Sequence, residues 1–251
     1  MRKFLSSIAI AAAMVAGASA PAHAVPTQWL TVTLSSSAFG SPVTCTTFDL
    51  SGCVGWAGIG FAAPTIGGSQ LKFSGSIGGF TFDIQSNTAN LPGTTVAATL
   101  DSNVLVLRNT NAAAATFTID VTGYGFTLPS GPDRTIFGSQ GGSTGSITTG
   151  GSMRADFYAD GTNSGLLSNG VGCSAVLSTS WQCSTGTSPW VGGTPFSMRQ
   201  IQTFTLGAGQ DTNATLNETV GRVPEPISTS LVGAALVALA LSSRRRASKK
   251  A

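Results

Sequence analysis

Residues 71–84 read LKFSGSIGGFTFDI, and this stretch decides the fold class. Leu, Phe, Gly and Ile occupy alternate positions from 71 to 77, and Phe, Phe and Ile do so from 80 to 84. An apolar residue at every second position is typical of a β-strand with one face on a core. The Gly78-Gly79 pair between the two runs accepts the positive φ angles of a tight turn. The stretch therefore predicts a β-hairpin.

The same alternation recurs along residues 25–223. It is interrupted at Asp101-Ser102-Asn103, which is a turn signal. Further strands are predicted at 29–34, 104–107, 117–121, 153–157, 196–206 and 214–220. Eight or more short strands, with no helical period between the two ends of the chain, predict an all-β fold. The expected architecture is an antiparallel two-sheet sandwich, and a jelly-roll-like topology is one form that it could take.

Residues 138–152 are the one low-complexity stretch, rich in Gly, Ser and Thr. Because β-type patterns flank it on both sides, we expect a long surface loop within one domain, with a linker between two domains as the alternative. A phosphate-binding loop would need a lysine and a following helix, and this stretch has neither.

The N-terminal 24 residues have the pattern of a secretory signal peptide. Arg2 and Lys3 precede an apolar stretch from Phe4 to Ala16, and Ala22 and Ala24 form an A-x-A cleavage site. We expect a signal helix that is removed by signal peptidase after Ala24.

The C-terminal 28 residues, 224–251, combine three elements in a fixed order. Val223-Pro224-Glu225-Pro226 comes first, followed by an uncharged apolar segment that predicts a short transmembrane helix over 227–243. A basic end at 244–250 follows, beginning with Arg244, Arg245 and Arg246. Basic residues directly after the helix orient it with the C-terminus in the cytoplasm and residues 25–223 outside.

This tail resembles the PEP-CTERM sorting signal, which is found on exported proteins of Gram-negative bacteria. The resemblance implies that Val223, Pro224, Glu225 and Pro226 form the recognition motif for an exosortase-type membrane protease. It also implies that the tail is removed after sorting. Members of this family often accompany loci for extracellular polysaccharide, and their main domains vary widely. A plain anchor that stays attached is the alternative.

The charge of the exported domain argues against nucleic acid as a partner. The whole chain carries a formal charge of +3, but residues 25–223 contain six basic and nine acidic residues, a net charge of −3. The basic residues of this domain are scattered along the sequence, whereas a phosphate-binding groove needs them clustered.

Export places the four cysteines, Cys45, Cys53, Cys173 and Cys183, in an oxidising compartment, where disulfides are expected. Four cysteines allow three connectivities, of which the two local pairs are the simplest. Spacings of eight and ten residues without a nearby histidine do not match a zinc site, so we predict no metal and no cofactor.

Few catalytic side chains are present. The only histidine, His23, lies in the signal peptide, and Lys72 is the only lysine of residues 25–223. A Ser-His-Asp or Cys-His mechanism is therefore excluded for the exported domain. The composition still allows catalysis by a pair of carboxylates, for which the candidates are Asp83, Asp120, Asp156 and Asp160. Such aspartates occur in most exported β domains, so we expect no enzymatic activity.

Two further sequence features, a tryptophan and an aspartate-containing loop, are candidates for ligand binding. Trp190 lies in a Pro/Gly-rich segment where full burial is difficult, and it is the candidate sugar contact; the other tryptophans, Trp29, Trp56 and Trp181, are expected in the core. The segment 160–165 resembles part of a calcium loop but lacks a terminal bidentate glutamate, so an ordinary turn is favoured.

The sequence thus predicts a protein delivered across the inner membrane, transiently anchored, and then placed on the cell surface or in the extracellular matrix. Its leading predicted role is that of a non-enzymatic structural or exopolysaccharide-associated component of a biofilm. The alternatives are a secreted glycan-active enzyme that uses paired aspartates and a carbohydrate-binding module.

Overall fold

The computed structural model describes residues 28–47, 53, 65–67, 70–87, 91, 93–131, 133–145 and 151–223. The predicted signal helix, the predicted transmembrane helix and Trp56 lie outside the described residues. No helix in the described part of the chain is long and apolar enough to cross a membrane.

The described residues form β-strands arranged in two antiparallel sheets. In chain order the strands are β1 (Trp29–Ser36), β2 (Phe39–Thr46), β3 (Thr65–Gly67), β4 (Gln70–Ile77), β5 (Phe80–Asn87), β6 (Ala97–Asn109), β7 (Ala115–Phe126), β8 (Arg134–Ser143), β9 (Ser152–Asp160), β10 (Gly170–Val176), β11 (Trp181–Ser184), β12 (Ser188–Trp190), β13 (Phe196–Leu206) and β14 (Asp211–Arg222). The six-stranded sheet A has the order β10-β9-β13-β7-β1-β2. The eight-stranded sheet B has the order β11-β8-β14-β6-β5-β4-β3, and β12 pairs with β8.

The two sheets pack face to face through the apolar residues of the alternating strands. Phe117 of sheet A contacts Phe80 and Phe82 of sheet B, with ring centroids 5.0 and 5.6 Å apart. All three side chains are almost fully buried. The predicted all-β two-sheet sandwich is confirmed, whereas its jelly-roll-like topology stays a prediction.

The hairpin of residues 71–84 has the predicted form. β4 and β5 pair from Gln70↔Asn87 to Ile77↔Phe80. Gly78 and Gly79 connect them with φ angles of 55° and 74°, the left-handed region that a two-residue hairpin turn requires.

The turn expected at residues 101–103 is wrong, because β6 runs through this segment without interruption. Its irregularity lies further on, where Asp83↔Val106 is followed by Ile84↔Val104. Leu105 is thus an extra residue in β6, a β-bulge, and Leu105 and Val106 are both exposed.

The surface loop expected at residues 138–152 is wrong for its first part, because residues 138–143 belong to β8. Glycine is needed there for packing: a Cβ on Gly138 would lie 2.3 Å from the ring of Phe157, and one on Gly142 would lie 2.0 Å from the carbonyl oxygen of Asn213. The low-complexity composition therefore reflects close approach of neighbouring groups to a strand.

Candidate functional site

The outward face of sheet A carries both tyrosines of the chain. Tyr124 lies on β7 and Tyr158 on β9, each in the outward phase of its strand, and both are half-buried. Trp29 lies on the same face of β1, directly opposite Tyr124 in the register. Phe137 is the outward-facing aromatic residue among the described side chains of sheet B, so sheet A holds most of the exposed aromatic surface.

Tyr158 lies flat across the neighbouring edge strand because that strand has glycine at the contact. Gly170 of β10 pairs with Tyr158, and a Cβ on this glycine would lie 2.3 Å from the phenol ring. Gly172, two residues later in β10, leaves space for Asp156 in the same way. A Cβ on Gly172 would lie 2.4 Å from Oδ1 of Asp156. The glycines of β10 thus let the ring and the carboxylate extend along the sheet surface.

Trp29 and Tyr124 form a stacked pair with centroids 4.6 Å apart and planes inclined by 15°. A bulge in β7 sets the position of Tyr124, since Phe196↔Phe126 is followed by Met198↔Gly123. Gly125 adopts a φ of 86° in this bulge, and its N–H donates to Oδ1 of Asn163 at 2.8 Å. The stack is therefore fixed to the loop between β9 and β10.

Two arginine–aspartate pairs lie on the same face, Arg199–Asp120 on the strands between Tyr158 and Tyr124 and Arg154–Asp156 beside Tyr158 on β9. Arg199 donates from Nε to Asp120 Oδ1 at 2.9 Å and from a second nitrogen to Oδ2 at 2.5 Å. Arg154 donates to both oxygens of Asp156 at 2.7 and 2.8 Å. Bidentate pairs of this kind hold both side chains in defined orientations, and together they leave the face without net charge.

The hydroxyls of threonine pairs extend the polar surface of this face. The pairs that are joined by hydrogen bonds or close hydroxyl contacts are Thr31–Thr46, Thr33–Thr44, Thr116–Thr205 and Thr118–Thr203. These pairs are separated by 11 to 89 positions in the sequence, and strand pairing alone brings them together.

Residues 161–169, the β9–β10 loop, close one end of the face. The carboxylate of Asp160 accepts hydrogen bonds from the backbone and hydroxyl groups of Thr162 and Ser164 and from the N–H of Leu166. Burial alone would raise the pKa of Asp160, but the donors of Thr162 and Ser164 outweigh it and hold the pKa well below its usual range. The carboxylate therefore braces its own loop, consistent with an ordinary turn.

Both phenols on the face retain their protons at neutral pH. Burial is the main cause that raises the pKa of Tyr158, and the charge of Asp156 adds to it. Burial also raises the pKa of Tyr124. Each hydroxyl can therefore both donate and accept a hydrogen bond.

The carboxylates considered for catalysis are distributed over both sheets. Asp83 lies on β5 of sheet B, and Asp160 is occupied by its loop. Asp120 and Asp156 lie on either side of Ile201 in the register, which places their backbones about 10 Å apart across two strand spacings. Each accepts two hydrogen bonds from an arginine, so both oxygens of each carboxylate already have a guanidinium partner.

Trp190 does not have the surface position predicted for a sugar contact. Its side chain is 1% exposed, and its Nε1 donates to the carbonyl oxygen of Ala159 at 3.1 Å. The guanidinium of Arg134 lies 3.9 Å from its ring centroid, and the ring of Phe196 lies 4.9 Å away. The prediction is wrong because the Pro/Gly segment packs Trp190 into the end of the core, whereas Trp29, expected in the core, lies on the outward face.

The four cysteines form Cys45–Cys53 and Cys173–Cys183, the two local pairs considered simplest. The second bond joins β10 of sheet A to β11 of sheet B and so links one edge of each sheet. Of the sorting motif only Val223 is described, and its N–H donates to the carbonyl oxygen of Asp133 at 3.0 Å. Ala22, Ala24, Pro224, Glu225, Pro226 and Arg244–Arg246 lie outside the described residues.

Comparison with known proteins gives a weak likeness in fold. No protein family and no curated protein matches the chain. Among solved structures, TmCBM61 in complex with β-1,4-galactotriose is 9% identical with a TM-score of 0.31, over 57% of this chain and 87% of that chain. The family 11 carbohydrate-binding module from Clostridium thermocellum, in complex with a mixed-linked tetrasaccharide, is 10% identical with a TM-score of 0.28, over 66% of this chain and 98% of that chain.

Sequence reasoning missed Tyr124, Tyr158 and Arg199 as candidate residues. A signal for the tyrosines was present, since each falls between apolar positions of an alternating strand and must therefore face away from the core. No comparable sequence signal marks Arg199, because its hydrogen-bond partner Asp120 is 79 positions away in the sequence.

Proposed function

We propose that this chain is an exported, non-enzymatic matrix protein whose sandwich binds neutral polysaccharide on the outward face of sheet A. One observation carries the proposal: Tyr158 and the Trp29–Tyr124 stack lie on one sheet face, and fixed hydrogen-bonding groups lie between them. The proposal of export and sorting, with signal peptidase and an exosortase-type protease as partners, is supported by the signal-peptide pattern of residues 1–24 and by the resemblance of residues 224–251 to the PEP-CTERM signal.

The chemistry of the face suits a sugar chain. Aromatic rings offer a flat apolar surface to the C–H groups of a pyranose ring, while the phenol hydroxyls keep a polar edge. The two arginine–aspartate pairs and the threonine hydroxyls supply donors and acceptors whose positions are fixed in advance, which lowers the entropic cost of binding.

Charge selects neutral polymers over polyanions. The two arginines on the face are neutralised by two aspartates, and residues 25–223 carry a net charge of −3. A polyanion would therefore find no unpaired cationic patch on this face and would meet a like-charged domain.

A glycan-active enzyme that uses Asp120 and Asp156 is the alternative. Arginine pairing at both carboxylates disfavours it, since both oxygens of each already accept hydrogen bonds from a guanidinium. Shortening of the polysaccharide on incubation with the protein, lost in an Asp120→Asn/Asp156→Asn variant, would replace the binding proposal with this one.

The test is affinity electrophoresis of the protein through gels that contain the neutral polysaccharide of its own host. We expect retardation of the wild-type chain and about tenfold weaker binding for Tyr158→Ala, corresponding to about 1.4 kcal/mol. Tyr158→Phe should retain most of the affinity, because it keeps the ring. Equal retardation of the wild type and Tyr158→Ala would remove sheet A as the binding face.

A further inference from the structure

Two adjacent leucines project from the β9–β10 loop into solvent. Leu166 is 58% exposed and Leu167 is 55% exposed. Single exposed leucines are ordinary on protein surfaces. These two are neighbours, and the loop that carries them is held in place along its whole length.

Hydrogen bonds brace this loop on both sides of the leucine pair. Before the pair, the N–H of Gly165 donates to Ser197 Oγ at 3.0 Å, and its carbonyl oxygen accepts from Arg199 at 2.9 Å. At the pair itself, the N–H of Leu166 donates to Asp160 at 3.2 Å. After it, the hydroxyl of Ser168 donates to the carbonyl oxygen of Ala159 at 3.3 Å. The two side chains therefore project from a defined backbone.

The leucine pair lies beside the aromatic face of sheet A. A Cβ on Gly165, the residue before the pair, would lie 2.7 Å from the hydroxyl oxygen of Tyr124. Gly170, three residues after Leu167, pairs with Tyr158. Since a residue spans at most about 3.5 Å of chain, the pair lies within a few residues' reach of both tyrosines.

An unsubstituted pyranose places its C–H face on the aromatic rings and presents hydroxyl groups at its edge, towards the leucine pair. A methyl group would match it, and polysaccharides carry methyl groups in two forms, the C6 methyl of a 6-deoxy sugar and the methyl of an O-acetyl ester. We propose that Leu166 and Leu167 select polysaccharides with methyl-bearing substituents, an inference that rests on the proposed function of sheet A.

The experiment compares two matched pairs of neutral polymers with the purified full-length chain. One pair is acetylated glucomannan and the same sample after alkaline deacetylation, and the other is a β-1,4-mannan after 6-deoxygenation and the same mannan before it. We expect the wild type to prefer the methyl-bearing member of one pair by about fourfold or more, the ratio expected for burying one methyl group. The pair in which the preference occurs identifies the source of the methyl group.

Three variants separate this inference from the proposed function. Leu166→Ser/Leu167→Ser should bind both members of the preferred pair equally, whereas Tyr158→Ala should weaken binding to both. Leu105→Ser/Val106→Ser changes another adjacent exposed apolar pair, on the outward side of sheet B, and should keep the wild-type preference. Equal wild-type binding to both members of each pair, or a preference that survives Leu166→Ser/Leu167→Ser, overturns the inference alone. Absence of binding to all four polymers also overturns the inference, and absence of binding to the host's own polysaccharide as well contradicts the proposed function.

Discussion

Two buried carboxylates of the sandwich respond to pH in opposite directions. Glu218 lies in the core with no exposed surface, and both of its oxygens lack a hydrogen-bond partner of good geometry. Burial raises its pKa well above the usual value, and the backbone of Tyr158 opposes this only weakly. Asp160 has a lowered pKa because its loop donates to both oxygens.

The signs of the two contributions follow from linkage. Because the folded pKa of Glu218 is raised, its contribution is fully present below the unfolded pKa of about 4.3 and is lost as the pH rises towards the folded pKa. Because the folded pKa of Asp160 is lowered, its contribution is present above about pH 3.9 and is lost as the pH falls.

Glu218→Gln should remove the first of these dependences. We expect the free energy of unfolding of the variant to exceed that of the wild type increasingly from pH 5 to pH 8, since glutamine has no charge to desolvate. Urea denaturation at a series of pH values measures this. Asp160→Asn is the matched control, because it should lower the free energy of unfolding by a constant amount above about pH 4 and change the slope of the curve only below that pH. Parallel curves for the wild type and Glu218→Gln would show that Glu218 does not titrate in this range.

Single residues were the scale at which sequence reasoning was least reliable. The Pro/Gly neighbours of Trp190 predicted an exposed side chain. Local composition, however, does not indicate which other residues pack against a side chain. The core position of Glu218 could be read from its alternation with Leu216 and Val220. Its lack of a partner could not, because that depends on the residues of the facing sheet.

At the scale of elements, β8 is a central strand built from residues with low strand propensity. Its glycines are required by their neighbours, as the 2.3 Å approach of Phe157 to a Cβ on Gly138 illustrates. The prediction of a loop here followed from composition, and composition cannot reveal a close contact with another strand.

Gly138→Ala should therefore destabilise the protein by about 1 to 3 kcal/mol through overpacking. Gly141→Ala, in the same strand, is the control. The nearest atom to its Cβ would be 3.6 Å away, an ordinary contact, so this substitution should be neutral or slightly stabilising. The free energy of unfolding in urea distinguishes the two variants, and equal values for both would contradict the packing explanation.

The disulfide between β10 and β11 joins an edge of sheet A to an edge of sheet B. Cys173→Ala/Cys183→Ala should lower the free energy of unfolding by about 3 kcal/mol, as expected for a short closed loop. Thermal or urea unfolding under non-reducing conditions measures the loss. An unchanged midpoint would indicate that residual contacts already hold the two edges together in the unfolded chain.

At the scale of the whole molecule, alternation along the strands was sufficient to predict a two-sheet sandwich. The order of the strands was not predictable, because it depends on which outward residues meet across the sheet. Asp120 meets Arg199, and Thr116 meets Thr205, at separations of 79 and 89 residues. The proposed binding face consists of such pairs, so it could be recognised only after the pairing was known.

The ends of the chain lead to a separate prediction about processing. We expect the protein isolated from its host to begin at Val25 and to end near Pro224–Pro226, as the proposed removal of a signal peptide and a sorting tail requires. Intact mass spectrometry reports both ends together. A mass that includes residues up to Ala251 would identify a permanent anchor and contradict exosortase processing.

The central claim is that the outward face of sheet A binds polysaccharide. The most direct test is a crystal structure of the protein with an oligosaccharide released from its host's neutral polysaccharide. The proposal predicts a sugar ring stacked on Tyr158 and hydroxyl groups bound to Arg199 or Asp156. An oligosaccharide bound on sheet B, or a sheet A face left empty at saturating ligand, would contradict it.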